Sequence, residues 1–155
     1  MDGGAVEQLL EDLKNSEPRV RDRATQSLWE LWFWQKGATG LEQLQRSQEL
    51  LETGKPEAAE QLLNQLIEQL PDFAEAWNRR AVLYYTQHKY TEALQDCKAT
   101  LQLVPFHFGA LHGLGLCHAA LGDYRAAIQA FHEALNVQPY ALINQKLMLE
   151  CQALL

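Results

Sequence analysis

The sequence predicts an all-α fold, a row of stacked antiparallel helix pairs, and three observations carry that prediction. Pro71, Pro105 and Pro139 recur every 34 residues. Small residues recur at the same interval, at Ser47, Ala81 and Gly115 and again at Ala59, Ala93 and Ala127. Bulky residues keep step beside them, at Leu50, Tyr84 and His118 and at Leu63, Cys97 and Phe131. Two helices joined by a tight turn cross closely only where one of them offers a small side chain to receive the other's knob. The pattern is therefore one helix crossing made three times.

The elements follow in chain order. From Ala5 to Lys14, Val6, Leu9, Leu10 and Leu13 recur at helical spacing before Asn15 to Pro18 interrupt. Pro18 suits the first turn of a second helix, which Val20, Ala24, Leu28, Leu31 and Trp32 carry to about Gln35. The end of that helix is apolar on nearly every side, with Glu30 as its polar spoke among Leu28, Trp29, Leu31, Trp32, Phe33 and Trp34. Such a helix has to be covered. Trp29, Trp32 and Phe33 are expected to pack on the first helix and on the helix that follows; the alternative is an aromatic surface, Trp29 to Trp34, that joins two copies.

Thr39 with Glu42 spells a capping box for a helix through Glu52, and Pro56 opens the next, with Ala59, Leu62, Leu63, Leu66 and Ile67 on its apolar side. Asp72 with Glu75 repeats the capping signature ahead of a helix from Ala74 to Thr86. Its partner runs from Tyr90 to Leu103, after a turn at Gln87 to Lys89. The cycle repeats at Phe108 to Leu121 and Tyr124 to Val137, and Leu142 to Leu154 is a last helix without a partner after it. We expect one domain over 1–155, made of an N-terminal helical extension at 5–39, repeats at 40–73, 74–107 and 108–141, and a capping helix at 142–155.

A period of 34 with helix, turn, helix and a terminal proline resembles the tetratricopeptide repeat family. The motif residues are Trp77, Ala81, Tyr84, Tyr90, Ala93 and Pro105 in the middle copy, and Leu111, Leu114, Gly115, Tyr124, Ala127, Phe131, Ala134 and Pro139 in the third. The first copy departs from the pattern, with Gln43 where Trp77 stands and Arg46 where Leu114 stands. The N-terminal pair lacks the motif and resembles a single HEAT-type hairpin; stacked ahead of the first repeat, it would cap the array. The resemblance implies a right-handed α-solenoid whose first helices line a concave groove, with the final helix as its solvating end.

The same resemblance implies a non-enzymatic adaptor, scaffold or assembly factor that holds a peptide segment of another protein in that groove. Projecting the pattern, the candidate contacts are Leu44, Gln48 and Leu51 in the first copy, Glu75, Asn78, Arg79, Val82 and Tyr85 in the second, and His112, Leu116 and Ala119 in the third, with Lys146 and Glu150 extending the lining. Asn78 can pair with a peptide backbone, Arg79 can hold a carboxylate, and Tyr85 supplies a rigid apolar contact. Gly109, Gly113, Ala119 and Ala120 leave a low wall, read either as room for a bulky segment or as tight helix packing. Family members that grip acidic chaperone tails set two lysines, an arginine and two asparagines at fixed places, which here hold Leu44, Gln48, Arg79, Gly109 and Gly113. A clamp of that type is not predicted.

Other chemistries fare worse. The chain of 155 residues is 47% hydrophobic and carries a net charge of −7, with 15 acids against 7 bases over residues 1–75. Without a basic stripe, no nucleic-acid partner is expected. No apolar run is long enough to span a bilayer, so no membrane insertion is expected, and the start MDGGAVEQLLEDLK lacks the basic and apolar regions of a signal peptide. Cys97, Cys117 and Cys151 are odd in number and far apart, which points to an intracellular reducing compartment, the cytoplasm or an organelle. No cofactor or metal is expected: His107, His112, Cys117 and His118 cluster in sequence, but His112 and His118 lie about 600° apart in helical winding. A cofactor or metal site near His107 and His112 is the third and last reading.

Overall fold

The computed structural model describes residues 3–155. Among them are nine α-helices: α1 (Gly3–Asp12), α2 (Pro18–Phe33), α3 (Gly37–Glu52), α4 (Pro56–Gln69), α5 (Ala74–Thr86), α6 (Tyr90–Leu103), α7 (Phe108–Ala120), α8 (Tyr124–Val137) and α9 (Leu142–Ala153). Helices α3 and α4, α5 and α6, and α7 and α8 form antiparallel pairs, and each pair stacks on the next as an all-α repeat solenoid. No helix among the described residues is long and apolar enough to cross a membrane.

The turns inside the pairs obey the same spacing as the prolines. Gly54, His88 and Gly122 have φ of 75°, 59° and 81°. In each turn the following N–H (Lys55, Lys89, Asp123) reaches back to the carbonyl of Leu50, Tyr84 or His118, closing a Schellman motif. Glycine costs nothing in that left-handed conformation, whereas a histidine carries its Cβ into it.

Size compensation sets the crossings. A Cβ built on Gly115 would lie 2.4 Å from the Phe131 ring, so the largest knob of the array meets its smallest residue. One repeat earlier Ala81 shares a buried cluster with Cys97 and Cys117, a larger hole for a smaller knob. Leu63, Ala59 and Leu83 fill the corresponding layer before that.

Several sequence expectations need correction. Helix α3 begins at Gly37, with Lys36 rather than Thr39 at its N-cap and no side-chain cap; Lys36 Nζ is drawn instead to Asp72 at 2.7 Å. Asp72 is thereby spent on Lys36, and Phe73 takes the N-cap of α5. Trp77, which the motif alone would place as a fully buried core residue, is half-buried at the edge of the Leu44 and Phe73 cluster, its Nε1 donating to the Pro71 carbonyl at 2.9 Å. The outer face of the final helix is mixed, with Leu142, Ile143 and Leu149 exposed beside Gln145, Lys146 and Glu150.

The larger correction concerns the N-terminal pair, which is not stacked ahead of the first repeat. Helix α2 runs along the row of inter-repeat turns in reverse order. Arg21 lies 3.9 Å over the Tyr140 ring, Trp32 packs on Phe106, His107 and Phe108, and Gln35 and Lys36 bond to Asp72. Leu13, Ala24, Leu28, Trp32 and Phe108 form the core that fastens it. The aromatic run is covered as expected, but largely by the second and third repeats; Trp34 alone of its aromatic residues is largely exposed, at 54%.

Two stability predictions follow from these turns and crossings. Gly115→Ala should lower the unfolding free energy by about 1–3 kcal/mol, because overpacking against Phe131 outweighs a helix-propensity gain of about 1 kcal/mol, and Phe131→Leu should relieve it in a double-mutant cycle. His88→Gly should raise the thermal midpoint, with a gain of about 1 kcal/mol from the relieved left-handed residue, measured by calorimetry.

Candidate functional site

A trough runs between α2 and the first helices of the pairs. Its largest portion, about 690 Å³, is lined by Asp22, Thr25, Gln26, Trp29, Glu30 and Phe33 of α2 and by Glu75, Asn78, Arg79 and Val82 of α5. Arg79 and Phe33 also line an adjoining portion of about 520 Å³ with Leu41, Leu44, Gln45, Gln48 and Glu49 of α3. Asn78 and Val82 also line a small apolar portion of about 160 Å³, where Tyr85, His112 and Leu116 meet Cys97 and Cys117. The shared residues set the three portions side by side along the trough.

Under the trough lies a buried polar network. Glu75 and His107 are 1% and 0% exposed, and His107 Nε2 sits 2.9 Å from Glu75 Oε2. Because His107 Nδ1 accepts the Ala110 backbone N–H at 3.1 Å as the N-cap of α7, its proton is on Nε2 and is donated to Glu75. The other carboxylate oxygen accepts from Asn78 Nδ2 at 3.1 Å and faces Arg79 Nε at 3.4 Å. A carboxylate removed from water needs such donors. Trp32 stacks on the His107 ring at 4.0 Å and Trp29 meets it edge-on at 5.4 Å, so α2 is the lid of the network.

Glycine at position 109 admits that lid. A Cβ there would lie 2.7 Å from Trp29 Cη2. The low wall of the third repeat thus receives a bulky segment, and the segment is the chain's own α2. Gly113 answers to the packing explanation, its Cβ position lying 3.2 Å from Cys97 Sγ. Cys97 and Cys117 share a buried cluster, and the neighbouring Cys117 thiol together with burial pushes the Cys97 thiol well above its ordinary range. Burial likewise raises the Tyr85 phenol, which stays protonated beside the small apolar portion.

The predicted contact residues fare differently. Gln48, Arg79, Val82, Tyr85 and Leu116 line the trough with part of their surface open. Arg79 Nη1 donates to Gln48 Oε1 at 3.1 Å and its guanidinium lies 5.1 Å from the Phe33 ring centre, so it bridges α3, α5 and α2. Glu75 is a correction: its carboxylate is spent on His107, Asn78 and Arg79 rather than offered to solvent. Leu44 and Asn78 are buried in the trough floor, at 2% and 6% exposure. His112 is half-buried, its Nδ1 2.7 Å from Asn144 Oδ1 of α9. Leu51 packs into the core beside Leu63 and Leu83, and Lys146 projects into solvent beside Glu150, neither lining the trough. With both His107 nitrogens and one His112 nitrogen engaged, the two histidines are not paired; no group of three or more metal-ligating side chains gathers among the described residues.

Sequence reasoning missed the α2 wall. Asp22, Thr25, Gln26, Trp29 and Phe33 recur at helical spacing and mark a second face of α2, but only the fold turns that face toward α5.

Comparison with known proteins agrees with the fold. The tetratricopeptide repeat family matches residues 44–108 and again 108–141. The chain is a tetratricopeptide repeat protein. It is 30% identical over 137 residues to a TPR repeat-containing protein of Rhizobium etli, covering 86% of this chain and 66% of that one. It is 35% identical over 78 residues to the SGT1 homolog of Bos taurus, half of this chain and 23% of that protein, so it spans only part of these curated relatives. Among solved structures it is similar to the first TPR of Spaghetti (RPAP3) bound to an HSP90 peptide, with a TM-score of 0.70 at 20% identity over 74% of this chain and 91% of that one.

Removing a partner from the buried network should be costly. His107→Leu is expected to lower the unfolding free energy by about 3–5 kcal/mol, since it strands the Glu75 carboxylate, and to red-shift tryptophan fluorescence as Trp29 and Trp32 lose their seat. Equilibrium denaturation read by fluorescence measures both.

Proposed function

We propose that this tetratricopeptide repeat protein is a non-enzymatic interaction module, an adaptor or scaffold, that holds a peptide segment of another protein in the trough between α2, α3, α5 and α7. The observation that carries the reading is the shared lining of the three portions of the trough. Arg79 joins two of its portions, and Asn78 with Val82 joins the third, giving an apolar floor with a few convergent polar groups. Val82 stands at the junction, 53% exposed on a helix that is otherwise largely buried. The peptide complex of the Spaghetti TPR, which shares this fold, supports the reading. The engagement of Glu75, His107 and Asn78 in fixed hydrogen bonds supports a binding rather than a catalytic role. Three free, buried cysteines fit a reducing compartment.

Self-association through Trp29 to Trp34 is not proposed, because Trp29, Trp32 and Phe33 are taken up inside the chain. To test the trough, wild-type protein and Val82→Asp are used as bait in the native source. The variant should keep its helicity by circular dichroism and lose the partner at least tenfold, the effect of about 1.4 kcal/mol. Equal recovery by both baits would sink the proposal.

A further inference from the structure

The rim of the trough has a sign, and we propose that its occupant is a basic segment: an extended stretch of a partner protein in which Lys or Arg side chains accompany apolar ones. This rests on the trough being the binding site. Asp22 and Glu30 on α2 and Glu49 on α3 line it and are exposed. Its one arginine, Arg79, is already turned to the buried Glu75 carboxylate and to Gln48, and no lysine lines the trough. An acidic tail would therefore meet three like charges and no uncommitted cation. A basic segment meets three carboxylates that pair with no cation among the described residues, and such complementarity decides which partner is steered in.

The floor suits the same occupant. Trp29 and Phe33 stack at 5.6 Å with an interplanar angle of 22°, and Arg79 already rests against Phe33; aromatic faces of this kind accept a further ammonium or guanidinium. Asn78 adds a backbone contact. Glu75 can only accept, so the Asn78 amide must turn its Nδ2 toward it, and Oδ1 is the atom left for an incoming peptide N–H. The 13 residues of α5 span about 20 Å, the reach of about six extended residues.

The test is selection from a random peptide library displayed on phage, with the full chain as target. Enriched peptides are resynthesised with a fluorophore and titrated by anisotropy against wild type, Val82→Gln, and Asp22→Asn combined with Glu30→Gln. We expect peptides of net positive charge with apolar residues, lost in Val82→Gln, which removes the apolar contact without adding charge, and weakened about five-fold in the double variant. Their affinity should also fall between about 0.01 and about 0.15 M salt, as the Debye length shrinks. Peptides that are lost in Val82→Gln but indifferent to the double variant would overturn the charge assignment and leave the trough as the site. Peptides that bind Val82→Gln as well as wild type, or a selection without enrichment, would overturn both.

Discussion

The hydrogen bond between His107 and Glu75 is the contact on which the arrangement of this protein turns. It joins the start of α7 to the start of α5 inside the array, where neither group reaches water. The imidazole serves three partners at once: it caps α7 through Nδ1, satisfies the carboxylate through Nε2, and offers its face to Trp32. The place of α2 therefore depends on a polar pair one layer below it. Since α2 supplies one whole wall of the trough, the candidate site inherits the same dependence.

The repeats are otherwise regular, and their regularity is mechanical. Left-handed residues recur at 54, 88 and 122, and the crossings trade volume between facing positions, with Gly115 against Phe131 as the extreme. The irregularities coincide with the site. At the N-cap column one repeat places Phe73, which packs toward Gly40 and fills space, while the next places His107, which makes bonds. A repeat scaffold supplies rigid backbone at many equivalent points, and a single departure from the column is enough to build chemistry at one of them.

The trough also differs from what the family resemblance alone implies. Of the places where related domains set cations and amides for an acidic tail, Leu44 is buried, Gln48 is bonded to Arg79, and Gly109 lies beneath Trp29. Acids from α2 and α3 stand around the remaining opening. The fold is shared with the Spaghetti TPR solved with a peptide, and in this chain the exposed charges around the opening are carboxylates.

Helix order, pairing and turn positions were legible in the sequence because they follow from local rules. Prolines stop helices, glycines accept left-handed turns, and small residues at a fixed period mark where neighbours cross; the spans of α5, α6 and α8 match the expected ones residue for residue. Much of one trough wall was legible too, since the side chains of a repeat that turn away from its crossing are set by helical winding; Gln48, Arg79, Val82 and Tyr85 came from that projection. What no local rule decides is where a segment outside the repeat goes. Whether Asp72 caps a helix or holds Lys36, whether Glu75 faces solvent or His107, and whether α2 precedes the array or lies along its turns are choices among long-range partners. Tertiary packing makes them, because burying Trp29 and Trp32 against His107 and Phe108 gains more than any local contact open to that helix.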